Sequence, residues 1–335
     1  MTEVVQPGRG RPELSVLMPV HEQERFVAEA IRSVLAQRDV VLEVIVSDDA
    51  SSDGTFAAAR AALQNAPPEH RILLRRGTRR LRRDHVAALL DIATCDIVLL
   101  AHGDDRSRPH RARRLLDVLG ATGASLVGSE ATTIDTDGRT TDVPPEAGTP
   151  LQVLESTDVL AWSTWVLSGQ RAAWRRNRLQ PFGRLDSTVA GCGHDVVTAF
   201  RASLSGPTVA VTEPLVERRD HAGAWSRAVA DWRSEAAGTV GIGLYWLTAL
   251  RAMRSDVELA RSVGIVDDAT ATRLRVAIDD AAAARTTAVL DAHDELQAAG
   301  KVPLWVDDAE LALGWQGDDD AVRGVIRRAI GRRRC

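Results

Sequence analysis

The sequence predicts an α/β fold in which a mostly parallel sheet is flanked by helices and followed by a helical C-terminal extension. Three observations predict it. Short apolar runs alternate with amphipathic segments from residue 14 to residue 101, the pattern of right-handed βαβ units. Those runs end in acidic, small and helix-capping residues, at the edge where open α/β sheets bind ligands. From about residue 226 to 299 the pattern becomes mostly helical, rich in alanine and arginine.

In chain order, residues 1–12 hold Pro7, Gly8, Gly10 and Pro12 and read as a disordered leader. Leu14 to Val20 is an apolar strand closed by Pro19 and the pair His21-Glu22. Phe26, Val27, Ala30, Ile31, Val34 and Leu35 recur at helical spacing, giving a helix over 24–37. Leu42 to Val46 is a second strand. The capping-rich run Ser47 to Thr55 then opens a helix to about Asn65. Arg71 to Arg75 is a third strand, His85 to Ala93 a third helix, and Asp96 to Ala101 a buried strand. Beyond Gly120 the alternation loosens. Strands are expected at 124–129, 209–211 and 215–218, a loop at 136–150 and a helix at 196–204.

His102-Gly103-Asp104-Asp105 follows the Asp96–Ala101 strand, with Pro109 at the start of the next helix. Two adjacent carboxylates at a strand's C-terminal end suit a hard divalent cation that itself holds a phosphorylated substrate. The same pair would equally serve as solvated helix-capping aspartates.

Composition bounds the rest. The 335 residues are 44% hydrophobic and 26% charged, as in ordinary globular proteins. A net charge of −4 gives no basic field calling for nucleic acid. Cys95, Cys192 and Cys335 show neither metal-ligand spacing nor a disulfide framework, which fits a reducing cytoplasm. No apolar run reaches the roughly 18 residues a membrane span needs, and the N-terminus lacks a signal-peptide core.

Taken together, the separated motifs resemble the family-2 glycosyltransferases of the GT-A fold over roughly residues 13–225. Pro19-Val20-His21-Glu22 is similar to the family's opening motif, whose proline, aromatic and acidic groups line the nucleotide pocket. Val46 to Thr55 is similar to the next motif, whose second aspartate, here Asp49, holds the base. Asp104-Asp105 corresponds to the metal motif, Gly193-His194-Asp195 to an acidic pair before a helix, and Arg219-Asp220-His221 to an arginine-rich strand ending in histidine. The departures are His21 for an aromatic residue, Gln23 for an acid, His102 for the first metal-motif aspartate and His194 for a glutamate.

The resemblance implies a Rossmann-like GT-A domain with a nucleotide-sugar half at 13–120 and an acceptor half at 121–225. A helical region at 226–320 and a basic amphipathic tail at 321–335 follow. It implies a metal-dependent, inverting hexosyltransferase that moves a sugar from a UDP- or dTDP-sugar to a hydroxyl on a glycan, lipid-linked, peptide or small-molecule acceptor. The implied donor residues are Pro19, His21, Glu22, Asp49 and Asp104. Asp105 and His221 would hold Mn²⁺ or Mg²⁺, and Asp195 would be the general base. A packed histidine and a helix-capping aspartate are the plainer readings of His221 and Asp195.

All eight tryptophans lie beyond residue 160; Trp162 and Trp225 are the candidates for stacking on an acceptor sugar, although most of the eight would be core. The arginines at Arg75, Arg76, Arg79, Arg80, Arg82 and Arg83 read mainly as a solvated face. Residues 321–334 set Val322, Val325, Ile326, Ala329 and Ile330 opposite a row of arginines. Such a helix either touches an anionic membrane, which would make a cytoplasmic chain peripheral to its inner face, or docks on the protein. Homo-oligomerisation stays open.

Two rivals from other classes lack their motifs. No glycine lies in 19–25, so the dinucleotide fingerprint is absent, and Pro19-Val20-His21 stands where an aspartate-nucleophile hydrolase needs its aspartate. A non-catalytic nucleotide-binding or interaction protein remains the alternative, because of His102 and His194.

Overall fold

In the computed structural model, residues 2–81, 85–142, 151–160, 167, 169–184, 194–222 and 236–298 are described. The strands are β1 (Thr2–Gln6), β2 (Leu14–Val20), β3 (Leu42–Asp48), β4 (Arg71–Arg76), β5 (Ile97–Leu100), β6 (Arg106–Ser107), β7 (Leu126–Ile134), β8 (Gln152–Leu154), β9 (Ala172–Arg175) and β10 (Thr208–Arg219). The helices are α1 (Val27–Leu35), α2 (Thr55–Leu63), α3 (His85–Leu90), α4 (Arg111–Thr122), α5 (Ser156–Leu160), α6 (Arg176–Leu179), α7 (His194–Ser205), α8 (Ala236–Ser262) and α9 (Asp268–Ala298). The chain clusters into two units, residues 1–186 with 198–220 and residues 187–197 with 221–335.

The first unit is built on one sheet of order β1-β4-β3-β2-β5-β9-β7-β10-β6, with β8 pairing β10. β4, β3, β2 and β5 run parallel, as the alternating apolar runs require. Helices cover both faces of such strands, so their side chains are buried on both sides and the sequence reads as continuous hydrophobic runs. β3 is buried at every position, and β2 at every position except Pro19. Val27, Ala30, Ile31, Val34 and Leu35 of α1 pack into the same core. Each such aliphatic side chain contributes roughly 1.5–3 kcal/mol by leaving water.

The strand order reverses beside β2: β3 and β4 follow on one flank, while β5 returns on the other. The C-terminal ends of β2 and β5 therefore flank a topological switch point, where open α/β sheets bind ligands. At the opposite edge, the fully buried Glu43 carboxylate accepts from Thr94 N (2.7 Å), Thr94 Oγ1 (2.8 Å), Ser15 Oγ and Arg71 Nη1. That network ties β2, β3, β4 and the approach to β5 together, as a buried carboxylate must be tied.

Three departures from expectation shape the sheet. Residues 2–6, expected within a disordered leader, form β1 antiparallel to β4, pairing Thr2 with Arg75 and Val4 with Leu73. Gln6 Nε2 adds bonds to Pro67 O (2.7 Å) and His70 O (2.8 Å), so the open edge of β4 orders the segment. The unpredicted β9 inserts antiparallel between β5 and β7. The two short strands expected at 209–211 and 215–218 are one strand, β10, parallel to β7, with register shifts on either side of Pro214, which has no N–H to give the ladder.

In the second unit α8 and α9 pack on each other, and Leu250, Met253 and Val257 of α8 and Leu274, Ile278 and Val289 of α9 are all buried. Arg285 lies over the Trp246 ring at 4.6 Å. No helix among the described residues is long and apolar enough to cross a membrane. The basic tail expected at 321–335 lies outside the described residues.

Candidate active site

β5 delivers its C-terminal loop to the switch point, anchored where Ala101 N donates to Leu17 O of β2 (2.9 Å). Gly103 is required there by close approach: a Cβ would overlap the Gln23 amide and come within 2.6 Å of the Val20 side chain. The loop gathers His102, Asp104 and Asp105 so that one ligand atom from each lies within 4.8 Å of the others. Asp105 is buried; its Oδ1 accepts from Arg219 N (2.8 Å), and its Oδ2 lies 3.8 Å from His102 Nδ1. Burial and the adjacent Asp104 charge push the Asp105 carboxyl up to about 6, against the pull of His102 and the Arg219 N–H. A cation would relieve that same penalty. Two carboxylate oxygens with one imidazole nitrogen suit Mn²⁺ at least as well as Mg²⁺, which prefers oxygen alone.

The loop is also held from beneath. Arg111, fully buried at the start of α4, donates to Leu100 O (3.0 Å), Ser107 Oγ (2.9 Å) and Gln170 O. Burial lowers its guanidinium to about 9, leaving it charged at neutral pH opposite Asp105.

The neighbouring ends of β2 and β3 present the other first-half residues. Asp49 N donates to Val20 O (2.9 Å), and buried Asp49 accepts Leu81 N on Oδ1 (2.6 Å). Asp48 is wholly buried, accepts Ser51 N (3.2 Å) and faces Arg76 Nε at 3.7 Å. Pro19 is half-buried at the strand end, and buried His21 Nδ1 has no hydrogen-bond partner in the structure. Glu22, at φ +52°, accepts Ser52 N (2.8 Å) and Ser52 Oγ (2.9 Å), which turns its carboxylate onto the loop after β3. The sheet therefore brings Pro19, His21, Glu22, Asp49, Asp104 and Asp105 to one edge, and it adds His102 to the two aspartates.

Residues 15–180, which hold every one of these groups, match the family described as Glycosyl transferase family 2. That stretch, just under half of the chain, belongs to glycosyl transferase family 2. Among curated relatives, the putative glycosyltransferase EpsE of Bacillus subtilis is 33% identical over 103 residues, 31% of this chain and 37% of that one. The first curated relatives are matched over only about a third of their own length. Solved structures extend the likeness in fold. Staphylococcus aureus TarS 1–349 aligns with a TM-score of 0.57 at 14% identity, covering 96% of this chain and 82% of that one. The Pyrobaculum calidifontis mannosyltransferase PcManGT, in complex with GDP-Man and Mn²⁺, aligns at 0.55 and 18%, covering 97% and 86%. TarS 1–349 in complex with UDP-GlcNAc aligns at 0.53 and 12%, covering 96% and 91%. The mostly parallel sheet with flanking helices is the GT-A fold of these neighbours.

The family match ends before Asp195 and His221, which both belong to the second unit. Asp195 is half-buried in the first turn of α7, and His221 follows β10 by two residues. The cluster of possible ligands found among the described residues contains His102 and not His221. Trp162, Trp225, Arg82 and Arg83 lie outside the described residues, as does the side chain of His194. Arg79 and Arg80 are exposed, as a solvated face requires, while Arg76 stacks on Phe56 at 4.9 Å.

Sequence reasoning passed over His85, Arg111 and Glu29. His85 is buried with Nε2 2.8 Å from Ser47 Oγ, directly before the Asp48-Asp49 pair, and burial lowers its imidazole to about 4. The run Arg79, Arg80, Arg82 and Arg83 just before it reads as a charged face, and no spacing rule links it to Ser47. Only its place at the start of the helix after β4 pointed to that sheet edge.

Proposed function

We propose that this chain is an inverting, metal-dependent glycosyltransferase that moves a sugar from a nucleoside-diphosphate sugar to an acceptor hydroxyl. The observation that carries the reading is the His102, Asp104 and Asp105 cluster at the switch point of a family-2 sheet. Asp105 and Asp104 would hold the cation, with His102 the nitrogen donor beside them and His221 the family's further candidate. Bound there, a divalent cation supplies positive charge to the departing diphosphate, an effect worth several kcal/mol. Asp49 would receive the base's N–H at the end of β3, beside Pro19 and His21. The nucleotide is uridine or thymidine diphosphate by family resemblance, and the neighbours' complexes with UDP-GlcNAc and GDP-Man add GDP to the candidates.

Asp195 is assigned the acceptor proton. As the acceptor oxygen attacks the anomeric carbon from the face opposite the diphosphate, its O–H bond breaks and Asp195 takes the proton; this order of events inverts the configuration. General-base catalysis contributes about 10²–10⁴-fold, so Asp195→Asn lowers kcat by about that factor and leaves donor affinity unchanged. Steady-state transfer with parallel nucleotide-binding measurements checks this. Loss of donor binding matching the loss of transfer would leave Asp195 a helix-capping residue.

A further inference from the structure

Resting on the metal reading of Asp104 and Asp105, we propose that Arg219, tied through Glu29 to Arg106, is the positioning residue that sets the spacing of those ligands. Arg219 ends β10, and its side chain is almost wholly buried, with 1% exposed. Its main-chain N–H holds Asp105 Oδ1 at 2.8 Å, while its Nε holds Asp104 O at 2.9 Å. One residue thus fixes the backbone of the first aspartate and the carboxylate of the second. Its Nη1 donates to Asp135 O (3.0 Å) and Thr136 O (3.1 Å), and Nη2 to Glu29 Oε2 (2.5 Å). The guanidinium plane lies over Phe26 at 4.9 Å.

Arg106, the residue after Asp105, repeats the arrangement from the other side. Its Nη1 donates to Glu29 Oε1 (3.0 Å), Nη2 to Gly138 O (2.9 Å) and Nε to Glu217 Oε2 (2.6 Å). The Glu29 carboxylate on α1 therefore bridges two arginines, and both arginines grip the 135–138 turn after β7. Gly138 sits at φ +83°, a backbone conformation that residues with a side chain rarely adopt. The metal loop, α1, the 135–138 turn and the end of β10 close into one ring around two guanidinium groups. A lysine cannot substitute at 219, because a single ammonium lacks the planar fork that serves Asp104 O, the turn carbonyls and Glu29 together.

The test is Mn²⁺ affinity, measured by electron paramagnetic resonance with and without UDP or GDP, so that no turnover is needed. Partners that orient metal ligands typically change affinity by about 10–100-fold, so Arg219→Lys should raise the Mn²⁺ dissociation constant about tenfold or more. Glu29→Gln, at a 41%-exposed position that tolerates the change, should raise it by a smaller factor, while Arg113→Gln, in a surface ion pair with Glu13 and Asp117, should leave it unchanged. Wild-type affinity in both Arg219→Lys and Glu29→Gln, even with a lowered melting temperature, would reduce the ring to scaffolding and overturn the proposal. If Arg219→Lys does not fold, Glu29→Gln alone decides. Failure of the wild type to bind Mn²⁺ under any of these conditions would instead overturn the metal reading beneath it.

Discussion

His85 shows how the sheet edge controls single side chains. It is buried against Ser47, and desolvation outweighs the attraction of Asp49 and Asp48, so the folded protein keeps it neutral to about pH 4. The unfolded imidazole protonates near 6.5, so between pH 6.5 and 4 the unfolded chain binds the extra proton. Stability from this group is full above pH 6.5 and is lost as pH falls through that window, by at most roughly 3 kcal/mol. Asp105, raised to about 6, acts in the opposite sense below that pH, so the imidazole's own titration is the clean readout. A two-dimensional NMR titration should place His85 well below 6, and a midpoint at 6.5 would contradict its burial. At this scale the sequence displayed the chemistry but not the supports. Asp104 and Asp105 were legible because an apolar run delivered them together to a strand end. Arg219 and Glu29 are 190 positions apart, and no local spacing announces such a pair. His102 appeared as a departure from the family's aspartate, and its place within 4.8 Å of both carboxylates makes it a member of the cluster.

Among elements, those whose burial is continuous were the readable ones. β2, β3 and β5 lie in the middle of the sheet, and their apolar runs state it outright. β1 and β9 are ordered by partners distant in sequence, and the short Ala-Ala-Trp-Arg of β9 carries no β-branched residue to mark it. The α8–α9 pair offers an element-scale test. A Cβ on Gly243 of α8 would overlap a Val289 methyl on α9, and Val289 is fully buried. Overpacking of this kind costs about 1–3 kcal/mol, so Gly243→Ala should destabilise despite alanine's better helix propensity. Val289→Ala opens space for it, and urea midpoints should place the double variant above the sum of the two single losses. Strict additivity would mean that the helices are not packed at this point.

On the scale of the whole molecule, the first unit alone contains the sheet edge, the His102, Asp104 and Asp105 loop and the residues proposed to bind the donor, while Asp195 and His221 come from segments of the second. The proposed donor side was legible because its motifs sit at consecutive strand ends of one parallel sheet. The proposed acceptor side was less so, since it depends on residues after the regular alternation has stopped. The central claim is that the loop after β5 holds a cation that in turn holds a nucleotide. The measurement that tests it most directly is calorimetric titration of UDP, dTDP, GDP and their sugars, with and without Mn²⁺, into the wild type and Asp105→Ala. The account predicts that one nucleotide series binds the wild type with Mn²⁺ and loses at least about 1.4 kcal/mol of binding, a factor of ten, when Mn²⁺ or the Asp105 carboxylate is removed. Nucleotide binding of equal strength with and without Mn²⁺, unaffected by Asp105→Ala, would contradict it.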